Sequence, residues 1–127
     1  MALFRTDSLV LCYSDVEAAK QWWIDTFDCS LEKVPKDWDN PLPSDIALKL
    51  PGHAQPTILL NDRMEVRKAG FERENDHPIL FSNKLKKARD YLLVKGMAAG
   101  PIENGGRTEF FEICDIENNV IEICKEP

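Results

Sequence analysis

A chain of 127 residues is about one domain by the usual length scale and long enough to bury a core. At 43% hydrophobic and 30% charged residues it has a globular composition, which excludes wholesale disorder. Its 16 Lys and Arg against 22 Asp and Glu give a formal charge of −6, which argues against a nucleic-acid partner, and no apolar run reaches the roughly 18 residues of a membrane helix.

The first residues, MALFRTDSLVLCYSD, break into polar sequence at Arg5–Ser8 and lack a signal-peptide layout. Cys12, Cys29, Cys114 and Cys124 form no Cys-x-x-Cys pair, so zinc-finger spacing is absent and reduced thiols in the cytoplasm are the expectation. Only His53 and His77 exist, which excludes any three-histidine metal site.

Leu9–Tyr13 is a short apolar run that reads as a buried strand. Ser14 and Glu17 follow with capping-box spacing, and Val16, Ala19, Trp23 and Phe27 then recur at helical intervals. That helix should close near Asp28, in the left-handed region. Three strand-like pieces come next, Cys29–Val34, Ile46–Leu50 and Thr57–Leu60, with a Pro- and Asp-rich loop over 35–45. The charged stretch 61–76 suits a solvated connector.

The pattern then repeats. Pro78–Ser82 reads as a strand, Asn83 as a cap, Leu85, Ala88 and Leu92 as the apolar stripe, and Gly96 as the terminator. The pairs Ser14 and Asn83, Val16 and Leu85, Ala19 and Ala88, and Trp23 and Leu92 are each 69 positions apart. Met97–Ile102, Thr108–Cys114 and Val120–Cys124 are the three strand-like pieces of the second half. The last two flank Asp115–Asn119, a hairpin turn in which Asn118 takes positive φ. Each half is thus βαβββ, with one module over about 5–62 and the other over about 74–127 of a single domain.

With that repeat in place, the chain resembles the vicinal oxygen chelate superfamily, the group of glyoxalases, bleomycin-resistance proteins and extradiol dioxygenases. The segment SLVLCYSDVEAAKQWWIDTFDCSLEKV is similar to the family's opening strand and helix, and HPILFSNKLKKARDYLLVKGM to the opening of its second module. GGRTEFFEICDIENNVIEI resembles its closing hairpin. The resemblance implies an α+β fold in which two βαβββ modules form a cupped mixed sheet. It also implies a small organic ligand held in the cup, and a homodimer.

Metal-using members hold divalent ions with one side chain on each module's first strand and a carboxylate on each module's last strand. Carried over by register, these positions fall on Ser8, His77 and Glu122, while the fourth lies within Thr57–Leu60, which holds no ionisable group. Two usual ligands therefore remain, His77 and Glu122. A neutral serine hydroxyl is a poor partner for a divalent ion, and catalytic sites generally keep three protein ligands. Asp7 would point to the opposite face from Ser8 by strand alternation.

The same alternation groups Val10 and Cys12 with Ser8, and Ile79 and Phe81 with His77. Trp38, in a polar loop, needs a cover: its own loop, a partner chain or a ligand beneath a lid. Trp22 and Trp23 read as packing residues, and Glu109 and Glu112 as solvated strand positions. The expected ligand contacts are therefore Ser8, Cys12, Trp38, His77, Phe81 and Glu122. The leading expectation is a small-molecule-binding protein without a complete metal centre, akin to the antibiotic-sequestering branch. The alternatives are a metal-dependent lyase, isomerase or dioxygenase using His77 and Glu122, with a divalent metal as cofactor, and a non-catalytic interaction module whose cup is filled by its own side chains.

Overall fold

The computed structural model describes residues 3–38, 41–70, 78–106 and 108–126. The first half contains β1 (Leu9–Tyr13), α1 (Val16–Phe27), β2 (Ser30–Glu32), β3 (Ile46–Lys49), β4 (Ile58–Asp62) and α2 (Arg63–Lys68). The second contains β5 (Ile79–Ser82), α3 (Leu85–Val94), β6 (Glu103–Asn104), β7 (Glu109–Cys114) and β8 (Val120–Lys125). Their strands form two four-stranded mixed sheets of the same design, ordered β1-β4-β3-β2 and β5-β8-β7-β6. In each, the first and last strands of the module pair in parallel and the remaining pairs are antiparallel. No helix among the described residues is long and apolar enough to cross a membrane.

One face of each sheet is given to the helices. Leu11 and Tyr13 of β1, Leu48 of β3 and Ile58 and Leu60 of β4 are buried with Ala19, Trp23 and Phe27 of α1. Leu80, Phe111, Ile113, Ile121 and Ile123 are buried with Leu85, Ala88 and Leu92 of α3. All of them belong to one continuous core, each large side chain contributing about 1.5–3 kcal/mol on burial.

A polar thread runs through this core. The Trp23 indole N–H donates to the Tyr13 hydroxyl at 3.0 Å, and that hydroxyl donates to the Asp115 carboxylate at 2.6 Å. Asp115 is 5% exposed and also accepts from the backbone N–H groups of Glu117 and Asn119 and from the Asn119 amide, so the buried charge is fully hydrogen-bonded. Burial, and then the bond to Asp115, raise the Tyr13 phenol well above its ordinary value. The thread ties β1 of the first half to the β7–β8 hairpin of the second. A second tie lies at the N-terminus, where Arg5 and Phe81 exchange two backbone hydrogen bonds of 2.7 Å.

Several local expectations hold and several do not. Asp28 closes α1 with φ 55°, Gly96 follows α3 with φ 89°, and Asn118 turns the hairpin with φ 64°. The cap of α1 is Asp15 rather than Ser14: its carboxylate accepts from the Ala18 N–H. The amides of Ser14 and Asp15 donate instead to the Glu117 carboxylate from the β7–β8 turn, each at 2.9 Å. The N-cap position of α3 is Lys84, not Asn83, and makes no side-chain cap; Ser82 Oγ accepts from the Lys84 N–H.

The strand expected at Met97–Ile102 is displaced to Glu103–Asn104. Met97, Ala99 and Ile102 instead pack against the core, and the Arg89 guanidinium ties down the carbonyls of Ala99 and Gly100. The stretch taken as a solvated connector begins with the end of β4 and then forms α2, capped by Asp62 accepting from the Glu65 N–H and anchored by buried Val66. Its residues 71–76 lie outside the described residues.

Candidate functional site

The sheet faces turned away from the helices are the places where a ligand could sit, and the two ladders make them directly comparable. In the first sheet Val10 pairs with Leu59 and Cys12 with Asn61. In the second, Ile79 pairs with Glu122 and Phe81 with Cys124. Since Leu9, Leu11 and Tyr13 pack into or against the core, as do Ile121 and Ile123, alternation puts these four pairs on the far faces.

Val10 is 45% exposed there, whereas Cys12, Leu59 and Asn61 are buried. The Asn61 amide donates to Asp45 at 2.7 Å, and the Cys12 carbonyl accepts from Arg63 at 3.2 Å, which ties the loop before β3 to β4 and the start of α2 to β1.

The second sheet is the more open. Glu122 and Phe81 are half-buried, and Glu112, the partner of Glu122 across the β7–β8 ladder, is exposed. Two like charges facing each other across a ladder destabilise it. The Cys124 thiol donates to the Glu122 carboxylate at 3.3 Å, and its pKa is pushed up to about 12, by burial first and by Glu122 second. The thiol is thereby held in its protonated form, as a hydrogen-bond donor to Glu122.

A cleft of about 550 Å³ opens on this sheet, bordered by Ile79, Phe81, Cys124, Thr108 and Asn104, with Lys125 and Glu126 at its rim. It is mixed apolar and polar and of the size ordinary for small-molecule sites.

A second cleft, of about 500 Å³, lies where the N-terminal segment crosses from one sheet to the other. Arg5, Asp7, His53, Thr57, Phe81 and Glu126 border it. The Arg5 guanidinium pairs with Glu126 through Nε and with Asp7 through Nη1, at 2.7 Å each, and lies 5.0 Å over the Phe81 ring. By contrast, both ring nitrogens of His53 and the Thr57 hydroxyl are buried without a hydrogen-bond partner among the described residues.

The expected contacts are thus spread over the molecule. Phe81 borders both clefts, whereas Ser8, Cys12, Trp38 and Glu122 border neither. Ser8 is exposed just before β1, Cys12 lies on the far face of the first sheet, and Trp38 is half-buried in its loop, where its backbone N–H donates to Pro35. His77 lies outside the described residues. Asp7 is exposed and paired with Arg5.

Of the four positions at which metal-using members of the resembled family hold an ion, the one on His77 lies outside the described residues. The position equivalent to Glu122 in the first sheet is Leu59, since Val10–Leu59 is the register counterpart of Ile79–Glu122. An aliphatic side chain supplies no donor, and the Ser8 hydroxyl is a weak one. Among the described residues, no group of three or more His, Cys, Asp or Glu side chains is arranged to hold an ion. The roles of His53, Thr57 and Arg5 carry no local sequence signal, because the cleft is made by segments far apart in the chain.

No family model matches this sequence, and no curated protein matches it. Solved structures do. Lactoylglutathione lyase from Agrobacterium tumefaciens superposes with a TM-score of 0.71 at 15% identity, covering 95% of this chain and 92% of that one. TnmS3, an antibiotic binding protein from Streptomyces sp. CB03234, gives 0.67 at 19% identity over 100% and 99% of the two chains. A glyoxalase/bleomycin resistance protein/dioxygenase from Nocardioides gives 0.67 at 13% identity over 95% and 83%. These likenesses show that the chain has the glyoxalase-like α+β fold, the fold of the vicinal oxygen chelate proteins.

Proposed function

We propose that this protein binds a small organic molecule on the open face of its second sheet and does so without a complete metal centre. The observation that carries the reading is the cleft of about 550 Å³ bordered by Ile79, Phe81 and Cys124. Its apolar floor provides affinity through burial, and Asn104, Thr108 and the rim charges provide orientation. Cys124 stays a neutral donor beside Glu122, so the face offers hydrogen bonds rather than a reactive thiolate. Leu59 in place of a second carboxylate supports the metal-free part of the reading. The structural neighbour TnmS3 is itself an antibiotic binding protein, a function of the same class. A homodimer is proposed on the resemblance alone.

The test is elemental analysis of protein purified without chelator, combined with a titration of the neutral apolar dye Nile red. The expected result is far less than one equivalent of metal and saturable dye fluorescence that Ile79→Trp, which fills the cleft, abolishes. One equivalent of tightly retained Zn, Ni, Mn or Fe would overturn the metal-free reading. Dye binding unchanged by Ile79→Trp would overturn the cleft.

A further inference from the structure

We propose that the cleft beside the N-terminal crossover is a second binding site, for a neutral planar amide, and that His53 turns its imidazole into the cleft to receive it. The proposal does not rest on the sheet-face site: the two clefts have only Phe81 and Glu126 in common among the described residues.

The argument starts from the orphaned atoms. His53 Nδ1 and Nε2 and Thr57 Oγ1 are the buried side-chain polar atoms without a partner among the described residues, and all three lie on the stretch 50–57 that joins β3 to β4. Native structures satisfy such atoms almost always, so three together, on residues that border a cleft, mark groups that gain a partner in another state. A rotation of one side chain is the smallest change that supplies it.

The chemistry of the partner follows from what the cleft already spends. Arg5 is the cation of the cleft, and Glu126 and Asp7 hold it on both sides. An anionic ligand must compete with Glu126 and Asp7 for Arg5, the guanidinium that borders the cleft among the described residues. The groups left over are the His53 ring nitrogens and the Thr57 hydroxyl. An uncharged imidazole offers one N–H donor and one acceptor, and a threonine hydroxyl offers both. A primary carboxamide presents the matching pair, an acceptor C=O beside an N–H donor. Phe81, already facing Arg5, adds an aromatic wall for a planar group.

The experiment is a titration of isotopically labelled protein with benzamide at pH 8, read by the His53 ring nitrogens and the backbone amides of Gly52 and Thr57. Benzoate is the matched anionic control. The expected result is saturable shifts with benzamide, about tenfold weaker binding in His53→Ala, as for one or two lost hydrogen bonds, and recovery in His53→Asn, which keeps a donor and an acceptor. Ile79→Trp should leave these shifts unchanged, which separates this site from the sheet-face cleft. Equal affinity in wild type and His53→Ala would overturn the proposal, as would benzoate binding as tightly as benzamide. So would ring-nitrogen signals that do not move through the titration, the signature of a bound water only.

Discussion

The two halves of this chain share a skeleton and differ in nearly everything mounted on it. Strand order, parallel pairing and register are the same, and Val10–Leu59 in one half answers to Ile79–Glu122 in the other. Yet the far face of the first sheet carries Leu59 and an amide, Asn61, bonded to Asp45, whereas that of the second carries a cleft and a half-buried carboxylate. Backbone hydrogen bonding and one apolar face per sheet are enough to keep the architecture. The opposite face is then free to diverge between the two copies.

The largest expected effect tests this division in the core. Trp23 and Leu92 occupy equivalent places on α1 and α3, both fully buried. Trp23 also stacks on Phe27 at 4.9 Å and donates to Tyr13. Trp23→Ala should cost about 4–5 kcal/mol in urea unfolding and Leu92→Ala about 2–4 kcal/mol. Equal losses would mean that the halves contribute symmetrically after all.

A smaller difference lies in the helix starts. Asp15 caps α1 through the Ala18 N–H, while Lys84 at the start of α3 makes no such bond. Asp15→Ala should destabilise by about 1 kcal/mol and Lys84→Ala by no more than about 0.5 kcal/mol, both measured by the same unfolding transition.

The smallest effect concerns the surface contact between the helix ends. Hydrogen bonds from Tyr91 and then Lys95 hold the Asp28 carboxyl below its usual range. A depressed carboxylate contributes stability above its unfolded value, near 4, and that contribution disappears as pH falls through the folded value. Asp28→Asn, which keeps a residue at ease with positive φ, should therefore lose a few tenths of a kcal/mol at pH 6 and nothing once the wild-type carboxyl is protonated. A stability difference that persists unchanged at acid pH would assign the effect to packing.

Much of this architecture was legible in the amino-acid order. The apolar stripe of Val16, Ala19, Trp23 and Phe27, its copy at Leu85, Ala88 and Leu92, and the positive-φ residues Asp28, Gly96 and Asn118 are local signals, and local physics reads them correctly. The failures share a cause, competition from residues remote in sequence. Ser14 does not cap α1 because its hydroxyl accepts from Arg63, and Glu117 takes the amide that a capping box would have given to Glu17. Met97–Ile102 is not a strand because the core recruits its side chains and Arg89 its carbonyls. The helix α2 is six residues with one buried side chain, too short to show a period, although Asp62 stands at capping distance from Glu65. The alternation that turned Glu122 away from Ile121 and Ile123 was legible too, but the clefts were not: each is enclosed by segments from distant parts of the chain.

The debt of α1 to the β7–β8 turn has a consequence for biosynthesis. Translation delivers the first module long before Asp115 and Glu117 exist, so the emerging helix has neither the carboxylate that holds its leading amides nor the acceptor for Tyr13. The first module is therefore incomplete by itself: without that hairpin two leading amides of α1 and the Tyr13 hydroxyl lose their acceptors.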